Sequence, residues 1–406
     1  MDKTELQILK ESYQNGLLDD VLPFWLSNGL DREHGGVMAS LDRDGSLIDT
    51  DKSVWQQGRF TWLLGELYNH PLLADHPDRD RWLEIATSTA GFIETHCFDP
   101  VDGRMWFHLT RDGTPLRKRR YAFSESFAAI AFGEISKATG SEQYATRAAD
   151  CFESFVDHNV NPPAELAKFT SARPMRSIGF PMIGINTAQE LRDSIGLEGA
   201  DEHIDRFIEE IETHFVRPDI ECVMETVGGS GDLINHFDGR TLNPGHAIEG
   251  AWFIMSEGRY RNDHRLIQLG CTMLDWMWKR GWDQQYGGIL YFTGVDSKPV
   301  QEYWHDMKFW WPHNETIIAT LMAYVSTGDE KYRQWHQRIH RWTMDHFPDE
   351  ECGEWFGYLR RDGAVSSPLK GNLWKGPFHI PRMQLVCLEL LHHLDKSGLT
   401  NTGGAD

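Results

Sequence analysis

Two histidines stand in segments that could carry acid–base chemistry. His246 follows the turn Asn243-Pro244-Gly245, which predicts the start of a helix, and Glu249 lies one turn later on the same face. A carboxylate placed there can hold the imidazole in one tautomer and raise its basicity. His379 follows 133 residues after His246. Two histidines flanking one cavity suit epimerisation of a carbon, or aldose–ketose isomerisation if the proton moves between neighbouring carbons.

Arg59 and Glu315 are further candidates for a catalytic role. A guanidinium suits stabilisation of a developing enolate oxygen, because it keeps its charge. Glu315 lies in the segment KFWWPHNET and could orient or assist a histidine. The chain has nineteen histidines but no H-E-x-x-H or comparable ligand pair, so we expect no catalytic metal.

A repeated element must position these residues. Asp-x-x-x-Gly, an alternating apolar stretch and a closing turn recur, with copies that begin at Asp31, Asp99, Pro218 (degenerate), Asp283 and Asp349. Alternation closed by Asp-Gly predicts a short β-hairpin. We mark the copies by Gly35, Gly103, Cys222, Gly287 and Gly353. The markers lie 65 to 68 residues apart except for one gap of 119, which predicts an eroded copy near position 160.

Helical periodicity fills the sequence between the hairpins, as at Trp55, Arg59 and Trp62. Each of six units thus combines a helix, a hairpin and a second helix. This arrangement predicts an all-α fold, an (α/α)6 barrel with short hairpins at one end. We expect residues 1–398 to form a single catalytic domain and residues 399–406 a flexible tail. A linear helical solenoid is the alternative, since repeats alone do not prove closure.

Counting forward from the markers places six polar residues at one level of the inner helices. They are Arg59, Glu125, Asn186, His246, His313 and His379. Because buried polar groups need partners, the shared level predicts a ligand cavity more than a hydrogen-bonded plug. Aromatic faces are a usual platform for sugar rings. The predicted substrate-binding residues are therefore Trp55, Glu125, Asn186, Trp310, His313 and Trp374.

Composition and charge restrict the kinds of partner. A net charge of -21 argues against DNA, RNA or an anionic membrane surface, and the short basic run 117–120 is expected to be a solvated hairpin arm. Six cysteines without a C-x-x-C pair, and an N-terminus without an apolar stretch, predict a reduced, cytoplasmic protein. No apolar stretch approaches the roughly 20 residues of a membrane helix.

Five segments resemble the signature sequences of the N-acylglucosamine 2-epimerase family, and the resemblance covers nearly the whole chain. They are SVWQQGRFTW, YAFSESF, NPGHAIEGAWF, KFWWPHNET and WKGPFHIPR. The resemblance implies an (α/α)6 barrel and reversible C2 epimerisation through ring opening, proton abstraction and an enolate-like intermediate. It assigns catalysis to His246 and His379, and supporting roles to Arg59, Glu249 and Glu315.

The branch of the family is indicated by Asn186. Cellobiose epimerases and mannose isomerases of the family have a third histidine near this place, so the N-acylglucosamine branch is the closer resemblance. N-acetylglucosamine and N-acetylmannosamine, or the free hexoses, are the implied sugar substrates. The resemblance further implies a homodimer, no required cofactor and, in some members, activation by ATP that is not consumed. A mannose isomerase, a glycoside hydrolase and a non-catalytic binding protein stay open as alternatives.

Overall fold

The fold alternates outer and inner helices along the chain. The structure is a computed structural model that describes residues 1–162, 167–296 and 298–396. The first outer helix is α1 (Lys3–Asn15), which continues through a π-helical segment (Gly16–Val21) into α2 (Leu22–Asn28). The other outer helices are α4 (Arg79–His96), α6 (Glu142–Val160), α8 (Ala200–Glu210), α11 (His264–Gly281) and α13 (Glu330–His346). The inner helices are α3 (Val54–Asn69), α5 (Phe123–Thr139), α7 (Gly179–Ile195), α10 (Pro244–Arg261), α12 (Trp310–Thr327) and α14 (His379–Lys396). A single short turn, α9 (Phe237–Arg240), precedes α10.

Burial separates the two rings of helices. Sixteen of the eighteen residues of α12 are buried, against eight of eighteen in its outer neighbour α11. A helix that is buried on nearly all sides must have neighbours on nearly all sides, as an inner helix has. The inner helices pack in the order α3, α5, α7, α10, α12 and α14. Phe378, directly before α14, packs on Trp62 of α3 at a ring distance of 5.4 Å. The ring therefore closes, which confirms the predicted (α/α)6 barrel over a linear solenoid.

The strands all lie in connections that lead from an outer helix to the next inner helix. They are β1 (Ser40–Leu41), β2 (Leu47–Asp49), β3 (Lys52–Ser53), β4 (His108–Leu109), β5 (Pro115–Arg117), β6 (Met175–Ser177), β7 (Val216–Arg217), β8 (Cys222–Val223), β9 (Thr226–Gly228), β10 (Thr241–Leu242), β11 (Thr293–Gly294), β12 (Lys308–Phe309), β13 (Tyr358–Leu359) and β14 (Val365–Ser367). Because these connections share one direction, they gather at one end of the barrel, together with the first turns of the inner helices.

The predicted hairpins form in three of the five copies, as the antiparallel pairs β1–β2, β4–β5 and β13–β14. In the copy from Pro218, β7 and β8 pair on the two sides of the opening turn, and β9 pairs with β6. The copy from Asp283 differs, because β11 pairs with β10 of the preceding copy. Its closing turn, Gly-Val-Asp-Ser, lacks the Asp-Gly of the regular copies. The predicted tail 399–406 lies outside the described residues. Within those residues, no helix has the length and apolar character needed to cross a membrane.

One marker of the repeat is corrected by the structure. The glycine markers have φ angles of 72° to 77°, the left-handed region that favours glycine. In the degenerate copy the left-handed residue is Glu221, with φ 45°, and not Cys222. Val216 pairs with Val223 there, as Leu30 pairs with Val37 in the first copy. The sequence alignment of this copy was therefore wrong by one residue.

An ion pair of one kind links successive copies. The aspartate that opens a copy accepts hydrogen bonds from an arginine in the hairpin of the copy that follows. The described residues contain three such pairs, Arg111–Asp31, Arg361–Asp283 and Arg43–Asp349. Arg43 belongs to the first copy and Asp349 to the last, and their two hydrogen bonds measure 2.7 and 2.8 Å. The same contact therefore joins neighbours and closes the ring.

Candidate active site

A cavity of about 780 Å³ lies among the N-terminal halves of the inner helices. Eight of the eleven predicted site residues line it, namely Trp55, Arg59, Asn186, His246, Glu249, Trp310, Trp374 and His379. Glu315 lies directly behind this lining, in contact with His379. Glu125 and His313 lie outside the lining. The structure thus brings together the two histidines and most of the residues that the sequence grouped with them.

His379 is held from behind by Glu315. Its Nδ1 lies 2.7 Å from Oε1 of Glu315, which is fully buried. The other carboxylate oxygen accepts a hydrogen bond of 2.8 Å from Nε1 of Trp252. Since a carboxylate surrounded by donors acts as an acceptor, Nδ1 carries the proton. Nε2 of His379 is then the ring atom with a free lone pair, which is what a general base requires.

His246 is held by a carboxylate that the sequence did not single out. Its Nδ1 lies 3.0 and 3.1 Å from the two carboxylate oxygens of Glu225, which follows β8. Asn243 caps α10 and accepts a hydrogen bond from the backbone N–H of His246. The predicted contact of His246 with Glu249 is absent among the described hydrogen bonds. Glu249, one turn deeper, instead accepts from Arg382.

Arg382 ties the two catalytic helices together. Its Nη2 donates to Oε1 of Glu249 at 2.6 Å and to Oε1 of Glu315 at 2.7 Å, and lies 3.4 Å from Nδ1 of His379. Ligand atoms of Glu249, Glu315 and His379 come within 4.8 Å of one another, a spacing that could hold a metal ion. The guanidinium of Arg382 already provides the positive charge between the two carboxylates, so a metal ion would have to displace it.

The surroundings shift the pKa values of the two histidines in opposite directions. Burial lowers the pKa of His246, but Glu225 and then Glu249 raise it by more, so that it lies above its ordinary value. Burial and the charges of Arg382 and Arg59 lower the pKa of His379 well below its ordinary value. A titratable pair whose environments separate its pKa values is the usual arrangement of an acid and a base. His246 is therefore suited to the acid and His379 to the base.

Arg59 lies between aromatic rings. Its guanidinium carbon is 4.2 Å from the ring centre of Phe127 and 4.8 Å from that of Phe378. Burial and the charge of Arg382 lower the pKa of Arg59 to about 9, so it stays protonated at neutral pH. Its Nε has no hydrogen-bond partner within the described part of the chain. A charged donor held by ring faces suits an oxyanion in the cavity.

Aromatic residues form both the inner side and the mouth of the cavity. Trp311 packs against both catalytic imidazoles, with ring distances of 5.0 Å to His246 and 5.9 Å to His379. At the mouth, Trp374 lies 5.8 Å from Trp55. In the basic run 117–120, Arg117 and Arg120 are exposed as predicted, whereas Arg119 lies over Trp374 at 5.3 Å.

Glu125 and His313 are corrections to the predicted ring. Glu125 accepts from Nε of Arg104 and from the backbone N–H of Met105, and thereby fixes its own hairpin to α5. His313 accepts from the backbone N–H of Ile289 at 3.0 Å and stacks on Trp342 of the outer helix α13.

The physical reason lies in the connections between markers and helices, which differ in length. Helix α3 begins 19 residues after Gly35, whereas α14 begins 26 residues after Gly353. A shift of one residue turns a side chain by about 100° around a helix. Counting from the markers therefore could not fix which face of each helix meets the cavity.

Glu225 and Arg382 were missed, although each leaves a signal in the sequence. Glu225 follows the assumed marker Cys222 by three residues, and the other copies are apolar at this place, with Met38, Trp106, Leu290 and Phe356. The corrected marker puts Glu225 in line with Ala39, Phe107, Tyr291 and Gly357, which are also uncharged. Arg382 follows His379 by three residues, as Glu249 follows His246. One charged residue among uncharged equivalents is the kind of departure that marks function.

Comparison with known proteins gives one consistent result. The sequence model of the family "N-acylglucosamine 2-epimerase (GlcNAc 2-epimerase)" matches residues 35–380. N-acylglucosamine 2-epimerase of Bos taurus is 34% identical over 383 residues, which cover 93% of this chain and 90% of that protein. Cellobiose 2-epimerase of Bacteroides fragilis is 23% identical over 411 residues, covering 95% and 99%. The structure of cellobiose 2-epimerase from Spirochaeta thermophila superposes with a TM-score of 0.82 at 19% identity, covering 97% and 98%.

Proposed function

Because this chain belongs to the N-acylglucosamine 2-epimerase family and is a sugar 2-epimerase, we propose that it interconverts N-acyl-D-glucosamine and N-acyl-D-mannosamine. The observation that carries the proposal is the pair His246 and His379, held by separate carboxylates around one cavity. The higher identity to an N-acylglucosamine 2-epimerase than to a cellobiose 2-epimerase supports the acylated substrate.

The reaction needs one proton to leave C2 and another to return on the opposite face. In the ring-opened sugar, Nε2 of His379 takes the C2 proton, and the electron pair of the C–H bond moves toward C1, whose carbonyl oxygen becomes an enolate oxygen. Arg59 stabilises this oxygen. Protonated His246 then gives its proton to the other face of C2, and the C1 carbonyl re-forms. In the reverse direction the two histidines exchange roles.

Competing reactions are distinguished by where the proton goes and by which carboxylates are free. With a free hexose, which has a hydroxyl at C2, return of the proton to C1 would give a ketose, the product of an aldose–ketose isomerase. A glycoside hydrolase needs a pair of carboxyl groups free to act as acid and nucleophile or base. Here Glu249 and Glu315 are bridged by Arg382, and Glu125 is engaged by Arg104. These contacts favour epimerisation over hydrolysis.

Proton NMR of N-acetylmannosamine in D₂O tests the proposal. We expect N-acetylglucosamine that carries deuterium at C2. His246→Ala and His379→Ala should each lower turnover by about 10²-fold or more, since each acid–base group contributes roughly 10²- to 10⁴-fold. His393→Ala, an exposed residue of α14, is the matched control and should keep full activity. Turnover of free mannose, to glucose or to a ketose, without turnover of the acylated sugar would overturn the assignment.

We propose further that the enzyme requires no cofactor, acts in the cytoplasm as a homodimer, and takes ATP only as an activator that is not consumed. The acid–base groups of the cavity account for the whole proton transfer, and all six cysteines are free thiols, which fits a reducing compartment. The dimer and the ATP effect are supported by the family resemblance alone. Sedimentation analysis, and turnover measured with EDTA and with or without ATP, test these properties.

A further inference from the structure

The walls of the cavity differ in chemistry. In the ring order of the inner helices, α5 lies opposite α12 and α7 lies opposite α14. The side of α10, α12 and α14 carries His246, Trp311 and His379, so the reacting carbon lies there. A substituent on that carbon that points away from Trp311 reaches across the cavity toward α5 and α7.

The opposite wall is mostly apolar, with Asn186 and Thr187 of α7 as its polar members. Phe123 and Ile130 of α5 face the cavity together with Met182 and Ile183 of α7. Hexose hydroxyls placed against such a wall would lose water without gaining hydrogen bonds, which is costly. An alkyl group gains from the same contact. The wall therefore suits a substrate with an apolar extension at the reacting carbon.

Asn186 supplies a polar group beside this wall. It lies one turn beyond Met182 on α7, lines the cavity, and its Nδ2 donates to Oε1 of Glu190 at 3.4 Å. Nε1 of Trp62 donates to the other oxygen of Glu190 at 2.8 Å, so Glu190 is fixed in place. With Nδ2 of Asn186 turned toward Glu190, its Oδ1 is left for a donor such as an amide N–H.

We propose that Phe123, Ile130, Met182 and Ile183 form the subsite for the acyl chain, with Asn186 accepting from the amide N–H at C2. This inference rests on the proposed function, because it assumes an acylated sugar. Its consequence is that the alkyl part of the acyl group contributes directly to specificity. Each added methylene that fits the subsite should raise kcat/KM about fourfold, the gain for a buried methylene.

A substrate series tests the subsite without mutation. N-formyl-, N-acetyl- and N-propanoyl-mannosamine differ by one carbon at each step. For the wild-type protein we expect kcat/KM to rise about fourfold per step, so that the propanoyl and formyl compounds differ by roughly tenfold or more. A flat or falling series would overturn the subsite.

Two matched variants then test whether the dependence of kcat/KM on acyl length arises at this wall. Ile183→Thr replaces an ethyl group by a hydroxyl at the cavity wall, whereas Ile185→Thr makes the same change in α7 at a fully buried position outside the cavity. Ile183→Thr should lower the propanoyl-to-formyl ratio by severalfold, and Ile185→Thr should leave it unchanged. Because a ratio is compared, loss of folded protein affects both substrates alike. An unchanged ratio in Ile183→Thr would refute the location.

Failure of the proposed function would give a different result in the substrate series from failure of the acyl subsite. If wild-type protein epimerises none of the acylated sugars and exchanges no C2 proton in D₂O, the function itself is wrong. If it epimerises all three with equal kcat/KM, the function stands and only the acyl subsite is refuted.

Discussion

Oε1 of Glu315 accepts hydrogen bonds from both Nδ1 of His379 and Nη2 of Arg382, at 2.7 Å each. One oxygen therefore orients the proposed base and holds a positive charge beside it. The charge opposes protonation of the imidazole, and the hydrogen bond directs the free lone pair away from Glu315. Arg382 is thus a positioning residue that sets the protonation state of the base.

Removing the charge of Arg382 should shift the pH dependence of the reaction. In Arg382→Met the pKa of His379 rises, since the charge that lowered it is gone. The acidic limb of the kcat/KM–pH profile should move to higher pH, and kcat/KM at pH 7 should fall by about 10²-fold, near the contribution of one acid–base group. Arg382→Lys keeps the charge and should keep the limb in place. An unmoved limb in the methionine variant would contradict this role.

Glu225 should determine the position of the alkaline limb of the kcat/KM–pH profile. It raises the pKa of His246, which must be protonated to act as the acid. Glu225→Gln should therefore move the alkaline limb of kcat/KM to lower pH, because the neutral amide no longer stabilises the imidazolium. Glu212→Gln, an exposed carboxylate, serves as control. An alkaline limb that stays in place would assign it to another group.

Both directions of the reaction should share one pH profile. The form with His246 protonated and the form with His379 protonated carry the same number of protons, so the apparent pKa values belong to the pair. Their relative populations differ, since the first form is favoured by the pKa shifts of both residues. Steady-state rates from N-acetylmannosamine and from N-acetylglucosamine between pH 5 and 10 check this. Distinct limbs for the two directions would show that further groups titrate.

Buried neutral histidines should make the fold sensitive to acid. Burial lowers the pKa of His313 and His336 to about 3 and that of His340 to about 4, below the value near 6.5 of an unfolded chain. Their contribution to stability is complete above about pH 6.5 and is lost as the pH falls toward 4. At pH 5.5 the free energy of unfolding should be lower than at pH 7.5 by about 3 to 4 kcal/mol.

Urea denaturation at several pH values measures this loss. His336 and His340 both contact the hydroxyl of Tyr13, at 3.2 and 3.0 Å, which joins α13 to α1. The double variant His336→Gln/His340→Gln should be less stable at pH 7.5 but should lose less stability between pH 7.5 and 5.5. Equal losses in variant and wild type would place the acid sensitivity elsewhere.

The contact between Arg43 and Asp349, which closes the ring, should contribute measurably to the stability of the fold. Arg43→Ala removes two hydrogen bonds to Asp349, which keeps Lys370 at 2.9 Å. We expect the variant to unfold at a lower temperature, because both hydrogen bonds end on a buried carboxylate. Arg111→Ala breaks the corresponding contact between neighbouring copies. Thermal unfolding of both variants compares the two contacts. An unchanged unfolding temperature in both variants would refute a role of these ion pairs in stability.

The sequence predicted the fold and the two histidines for different reasons. The hairpin pattern recurs at a nearly constant spacing, so the copies at Gly35, Gly103, Gly287 and Gly353 were visible without a structure. His246 and His379 stand at helix starts within distinctive segments, where local rules are strong. These features depend on residues that are neighbours along the chain.

The contacts within the site were less accessible, because they join residues far apart in sequence. Glu225 reaches His246 from a hairpin 21 residues earlier, and Arg382 bridges to Glu249 across 133 residues. The direction in which Glu125 and His313 point depends on the lengths of their connections. A repeat with variable connections preserves the order of its helices but not their rotation, and this limit explains the errors.

The contact between Arg43 and Asp349 gives the barrel no terminal copy. A solenoid needs end units with special polar faces, whereas here the last copy meets the first through the contact that neighbours use. In a closed ring of this kind, the fold does not depend on which copy comes first in the sequence. A circularly permuted gene, opened at another junction between copies, would encode the same ring of helices around the same cavity.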